Sequence, residues 1–365
     1  MHAAAEVRLR LCVGVALFAG LATSAALAQQ PGAAGYRAVE YARLVNPGTI
    51  SVVRDINNRD EVSAAFKASD RRKMSQAFIL TPSGPLDVAA TVETDNAVAY
   101  GLNDSGEVVG AFNIGVALRP FKTVRQSSFR QLPLLPQDTG GAAYAINDSG
   151  EVVGYSSGSN GQRAVSWTRD GAVRALPGPA GTTSRASDIN TRGDVVGVLG
   201  DTSPRGALWP GKESLVTLAP LFGFTGSEAA GINERGDVAG FSVGASGDPD
   251  RSRAVLWRAG ASDPTDLGTL PGGDFSRAYG INARGEVVGT STTADGDRAF
   301  IWTETRGMVD LNTLVSLSDL TLVNAVSINR NGVILAIAQE AHDEAGEDDH
   351  HHEGPRRIVV LRPVS

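Results

Sequence analysis

Cysteine is almost absent from this chain. Its single copy, Cys12, lies in an N-terminal apolar run, so residues 29–365 hold none. Disulfides, thiolate nucleophiles and cysteine metal sites are thereby excluded from them, and stability is left to a buried core. Histidine is nearly as scarce: outside His2 it occurs at His342, His350, His351 and His352 alone. A Ser-His-Asp triad spread over the fold is excluded unless it borrows from that one tract. No apolar run reaches the roughly 20 residues that a membrane helix needs, and no segment beyond residue 28 keeps a helical period. The formal charge of −7 speaks against nucleic acid and anionic lipid surfaces as partners.

The first residues have the layout of an export signal: Arg8 and Arg10, an apolar run from Leu11 to Leu21, then Ala26-Leu27-Ala28 as a small-residue cleavage site. This predicts removal of residues 1–28, a mature chain from Gln29, and a secreted or periplasmic protein with no membrane insertion after cleavage. Cys12 is too early for a lipoprotein-type anchor.

What the chain has in abundance is one phrase. It appears as Ala99-Tyr-Gly-Leu-Asn-Asp-Ser-Gly-Glu-Val-Val-Gly110 and Ala143-Tyr-Ala-Ile-Asn-Asp-Ser-Gly-Glu-Val-Val-Gly154, then at residues 186–197, 229–240 and 278–289. Degenerate copies open the series at Asp55 to Val62 and close it at Ser327 to Ile334. The phrase's asparagine falls at Asn57, Asn103, Asn147, Asn190, Asn233, Asn282 and Asn329, in steps of 46, 44, 43, 43, 49 and 47 residues. A period of this size marks a propeller or array whose units bury their apolar faces on one another.

Each unit reads as four short strands, because apolar runs of four to six residues are bounded by Gly, Pro, Asn or Asp. In the sixth unit these are Arg277 to Ile281, Glu286 to Thr290, Arg298 to Trp302 and the region of Val309 to Leu314. All four tryptophans end a third strand, where wide rings wedge between sheets; the alternative is stacking on a sugar. Between strands one and two, Asn suits the first position of a type I turn. The glycine three residues on, at Gly106, Gly150, Gly193, Gly236, Gly285 and Gly332, suits the left-handed position that follows it. A calcium loop would need more oxygens at fixed spacing than Asn103 to Glu107 offers. Asp60 stands in place of glycine in the first unit and Val333 in place of the acid in the last, so those two hairpins are expected to be less regular.

The last unit ends after a third strand at Arg356 to Leu361, while a strand-like run from Tyr36 to Leu44 precedes the first unit. Pairing the two closes a ring and removes exposed sheet edges. The prediction is therefore an all-β fold: a seven-bladed β-propeller of four-stranded blades over residues 36–365, one domain and a monomer. Strand one lies innermost, and its small residues, Ala99, Gly101, Ala143, Ala145, Gly231 and Gly280, suit the narrow space near the axis.

The phrase Ala-x-x-Ile-Asn-x-x-Gly-x-Val-Val-Gly, followed by Arg-Ala-Phe-x-Trp, resembles the HAF repeats of exported bacterial proteins. The resemblance covers nearly all of residues 29–365 and implies an extracellular repeat protein with no particular activity. Here Arg298-Ala-Phe300 and Gln76-Ala-Phe78 replace the name-giving histidine, so a role resting on it is not carried over.

Candidate chemistry is sparse. Arg163, Arg205, Arg253 and Arg298 begin strand three in four units. They would either grip a carboxylate or sulfate of a ligand or pair with hairpin acids such as Glu286 or Asp237. The pairs Asp295 with Asp297 and Asp248 with Asp250 read as polar turns before they read as calcium or acid–base sites. The tract 341–354, with His342, His350, His351 and His352 among carboxylates, reads as a charged loop able to take up a divalent metal adventitiously; no cofactor is expected. The function expected is a scaffold that binds a protein or a glycan through loops at the channel mouth. Its rivals are a polysaccharide hydrolase or lyase, and metal sequestration by the histidine tract. Two acids converging in the channel mouth would favour the enzyme, and a flat mouth of Gly, Ser and Thr the scaffold.

Overall fold

The computed structural model describes residues 35–41, 50–66, 75–89, 94, 96–124, 128–244, 251–340 and 356–364. The export signal, the histidine tract and the pair Asp248 with Asp250 lie outside them. The described residues form seven four-stranded antiparallel sheets, and in six of these the strands follow chain order from the inside outwards. The seventh completes the ring. Its inner strands Leu320–Ile328, Ile334–Glu340 and Arg356–Pro363 are joined on the outside by Tyr36–Glu40, in a register running from Tyr36 opposite Pro363 to Glu40 opposite Val359. Tyr41 prolongs the pairing through its N–H to the Ile358 carbonyl at 2.9 Å.

Strands buried on both faces need apolar residues on both, which is why runs such as Val195–Leu199 are buried throughout. Seven apolar clusters result, each lying between consecutive blades: Val153 and Ala164 of the third meet Ala186, Val195 and Trp209 of the fourth. Trp167, Trp209 and Trp257 are fully buried in these seams. Their indole N–H groups donate to the carbonyls of Pro133, Pro177 and Ala219 on the preceding inter-blade links, at 2.7, 2.6 and 2.9 Å. Among the described residues no helix is long and apolar enough to cross a membrane.

The glycine ending the Val-Val-Gly run has a steric cause. A Cβ on Gly197 would stand 2.0 Å from the Arg185 carbonyl oxygen, and one on Gly110 would stand 1.9 Å from that of Val98. In the terminal units Ala64 and Ala336 hold that position, and there strand one takes a second bulge, between Ile50 and Val52 and between Leu322 and Asn324.

Candidate binding channel

The hairpin asparagines line the axis and do two things at once. Each Oδ1 serves its own turn: that of Asn190 accepts the N–H groups of Arg192 at 3.1 Å and Asp194 at 3.0 Å, while the Gly193 N–H reaches the Asn190 carbonyl at 3.0 Å. Gly193 takes φ 82° to do so. Each Nδ2 then donates to the asparagine carbonyl of the following blade, from Asn57 to Asn103 at 3.1 Å and onward. Asn282 reaches Asn329 at 3.5 Å and Asn329 returns to Asn57 at 2.9 Å. Seven asparagines thus form a closed circle of hydrogen bonds, every one of them at most 5% exposed.

The same Nδ2 groups hold the hairpin acids, from Glu61 at 2.8 Å to Glu286 at 2.6 Å. Partly buried, Glu107 and Glu151 are pulled below the ordinary glutamate range by Lys122 or Lys212 together with the asparagine. Asp194 and Asp237 are pulled below theirs chiefly by the N–H groups of Gly211 and Ala259. The terminal hairpins, expected to be less regular, keep the common pattern. Asp60 adopts the left-handed φ of 60° with its carboxylate on Arg362 Nε at 2.7 Å, and Val333 donates its N–H to Asn329 Oδ1 at 3.0 Å.

Beyond this circle the channel narrows to a cavity of about 150 Å³, rimmed by the residues that follow each asparagine, among them Asn58, Asp104, Asp148, Glu234 and Arg330. Asn58 binds Asp104 at 2.8 Å, and the Arg330 guanidinium spans Asp104 and Asp148.

On the other side the channel opens into a cavity of about 710 Å³. Its wall is set by a bulge that every first strand makes three residues before its asparagine: pairing skips from Ala99 to Gly101, from Ala143 to Ala145, from Ala278 to Gly280, and likewise in the other blades. A bulge re-aims a side chain. The skipped residues are Arg54, Tyr100, Tyr144, Ser187, Ala230, Tyr279 and Val326, and all seven line the cavity. Tyr100 and Tyr144 meet edge to face with ring centroids 5.1 Å apart, and the Arg54 guanidinium stands 5.7 Å from the centre of the Tyr100 ring. Burial pushes the Tyr100, Tyr144 and Tyr279 hydroxyls up, and Tyr155, hydrogen-bonded to Tyr144, to about 12.

One residue beyond the bulge, Gly, Ala or Ser occupies five blades and aspartate the other two. Asp55 accepts the Ile56 N–H at 2.9 Å, that of Leu102 in the next blade at 3.3 Å, and the Ser327 hydroxyl at 3.1 Å. Asp188 repeats the arrangement with Ile189 at 2.8 Å and Ile232 at 2.9 Å. Desolvation pushes both carboxyls up, Asp188 to about 7 against the pull of its two backbone donors, with the charges of Asp55 and Glu234 adding to the rise. Nearer the open end, Arg185 pairs with Glu228 at 2.7 Å, and Arg277 lies over the Phe241 ring at 4.6 Å.

The four arginines singled out by sequence are not brought together. Arg163 pairs with Asp138 at 2.8 Å and Arg253 with Asp266 at 3.6 Å; Arg205 donates to the Pro204 carbonyl at 3.2 Å and Arg298 to that of Asp297 at 2.8 Å. None of them lines either cavity. The hairpin acids proposed as their partners are held instead by turn arginines, Glu286 by Arg284 at 2.6 Å and Asp237 by Arg235 at 2.8 Å. Asp295 and Asp297 lie outside the cavities as well, their carbonyls bound by Arg298.

Sequence reasoning passed over Arg54, the three tyrosines and the two aspartates. The available signal was variation, since these residues fill the two unspecified positions of Ala-x-x-Ile-Asn.

No protein-family model matches the chain, and no curated protein is similar to it. Solved structures share its fold. A streptogramin B lyase aligns at 12% identity with a TM-score of 0.54, covering 90% of this chain and 98% of that one. A catalytically inactive histidine-to-alanine variant of virginiamycin B lyase from Staphylococcus aureus, with quinupristin, aligns at 12% identity and TM-score 0.55, covering 90% of this chain and 100% of that one. YCF48 bound to D1 peptide aligns at 12% identity and TM-score 0.53, covering 94% and 100%. At such identities the likeness is one of fold, and the chain is a β-propeller by architecture.

Proposed function

We propose that this protein is an exported binding propeller of the HAF-repeat kind, which takes the end of a glycan or peptide into the wide half of its channel. One observation carries the reading: Tyr100, Tyr144, Tyr279 and Arg54, from four blades, converge in a single cavity of about 710 Å³. Aromatic walls with a few placed polar groups are the usual build of a ligand site. Among similar folds, YCF48 bound to D1 peptide is a case of a propeller holding a peptide. The lead candidates are thereby moved from the mouth loops to the channel wall.

The test is a glycan and peptide array probed with residues 29–365 and with Tyr144→Ala. Ligands of the channel should bind the variant at least about ten-fold more weakly. A ligand whose affinity is untouched by Tyr144→Ala and by Tyr279→Ala would place binding elsewhere.

A polysaccharide hydrolase or lyase is the second reading, favoured by Asp55 and Asp188 sharing that cavity. Against it, both oxygens of each carboxylate are already engaged, and the channel tyrosines are pushed away from the ionised form a base requires. Product formation from an oligosaccharide, lost in Asp188→Asn, would reverse the order of the two readings. Deleting residues 343–353 tests metal uptake by the histidine tract separately.

A further inference from the structure

We propose that the channel recognises an acidic sugar, with Arg54 receiving its carboxylate and the channel tyrosines the face of its ring. The inference rests on the channel reading above and names the chemistry of its ligand.

Arg54 is exposed to the channel and makes no ion pair or hydrogen bond among the described residues; its contact there is the Tyr100 ring. Its charge acts against the effect of burial on Tyr100, Tyr144 and Tyr279 alike. The other charges of the lining are satisfied. Arg185 and Glu228 neutralise each other at 2.7 Å. Asp55 and Asp188 spend their oxygens on backbone N–H groups, and their burial favours the neutral form. Among the described residues Arg54 is therefore the one cation lining this cavity that is left to meet a ligand, and its planar fork matches a carboxylate in two-point contact.

The ring faces of Tyr100, Tyr144 and Tyr279 share the cavity with that guanidinium. A carboxylate for arginine and an apolar ring face to lie on tyrosine are together the chemistry of a uronic acid.

The probes are trigalacturonate and its fully methyl-esterified counterpart, which differ in charge at the carboxyl groups, titrated calorimetrically into the mature chain. The acid should bind about ten-fold or more tightly than the ester, in line with a charged hydrogen bond. Arg54→Gln should bring the two within about two-fold of each other and leave thermal unfolding unchanged, since the side chain is exposed. Equal affinity in the unmodified protein, a preference that survives Arg54→Gln, or no binding of the acid at about 10 mM overturns the assignment. If acid and ester bind equally and Tyr144→Ala abolishes both, the anion site falls and the channel reading stands; if Tyr144→Ala affects neither, the channel reading falls too. A peptide with a free C-terminus is compared with its amide in parallel, and an Arg54-dependent preference found there and not with the sugar overturns the sugar in favour of a peptide.

Discussion

The two halves of the channel are built from the same seven hairpins, a few residues apart, and they obey opposite rules. At the narrow half every blade contributes an asparagine, and each does the same work as the others. At the wide half the residue three positions earlier is Arg, Tyr, Tyr, Ser, Ala, Tyr and Val in turn. Repetition is enforced where backbone groups meet around the axis and each unit must satisfy its neighbour. Variation is allowed where a bulge turns a side chain towards open space, and there it yields an asymmetric lining able to recognise an asymmetric ligand.

The strongest way to break this contrast is to remove one member of the circle. Asn190→Ala strips two turn N–H groups, the Asn233 carbonyl and the Asp194 carboxylate of a buried partner. The expected cost is about 3–5 kcal/mol, or a fall in melting temperature of roughly 4–7 °C. Ser187→Ala, at the varied position of the same blade, should change little. Equal losses measured by calorimetry would erase the distinction.

Acidity sharpens it next. Asp188, raised from 3.8 to about 7, contributes stability that is complete below the ordinary aspartate range and is lost as pH rises through about 7. The hairpin acids, with lowered values, behave the other way and contribute stability that is lost as pH falls. Between about pH 5 and 7.5 the melting temperature should therefore decline by roughly 2–5 °C, reduced from the full linkage by water in the channel. Asp188→Asn should flatten that decline, and an unchanged slope would mean that the carboxyl ionises freely in the folded channel. The smallest effect belongs to the narrow rim, where Arg330 is exposed and its pairs with Asp104 and Asp148 are screened. Arg330→Ala should shift the melting temperature by less than about 2 °C; a larger shift would make the rim part of the circle's machinery.

The architecture was readable because its determinants recur. The asparagine period, the turn glycines and the missing last strand together imply seven blades and the clasp between Tyr36–Glu40 and Arg356–Pro363. Strand ends moved by a few residues, as in Gly296–Thr303 for the expected Arg298 to Trp302. The site was hidden for two physical reasons. A count of alternating residues along strand one takes no account of the bulge, so it misplaces Tyr100, Tyr144 and Tyr279 relative to the axis. Attention to recurring residues also favoured Arg163 and Arg253, whose regular positions reflect local partners at Asp138 and Asp266. The asparagines were legible as turn formers, but a contact from Asn57 to residue 103 leaves no local trace.

Each asparagine gives to the blade after it and receives from the one before, so the circle has a sense of rotation and no seam, although the polypeptide has two ends. A unit of this kind fits beside any copy of itself without new chemistry at the axis. Duplication or loss of a whole repeat would then be limited by the wedge of the apolar seams between blades, which sets how many copies complete a turn, and hardly at all by the motif that holds them together.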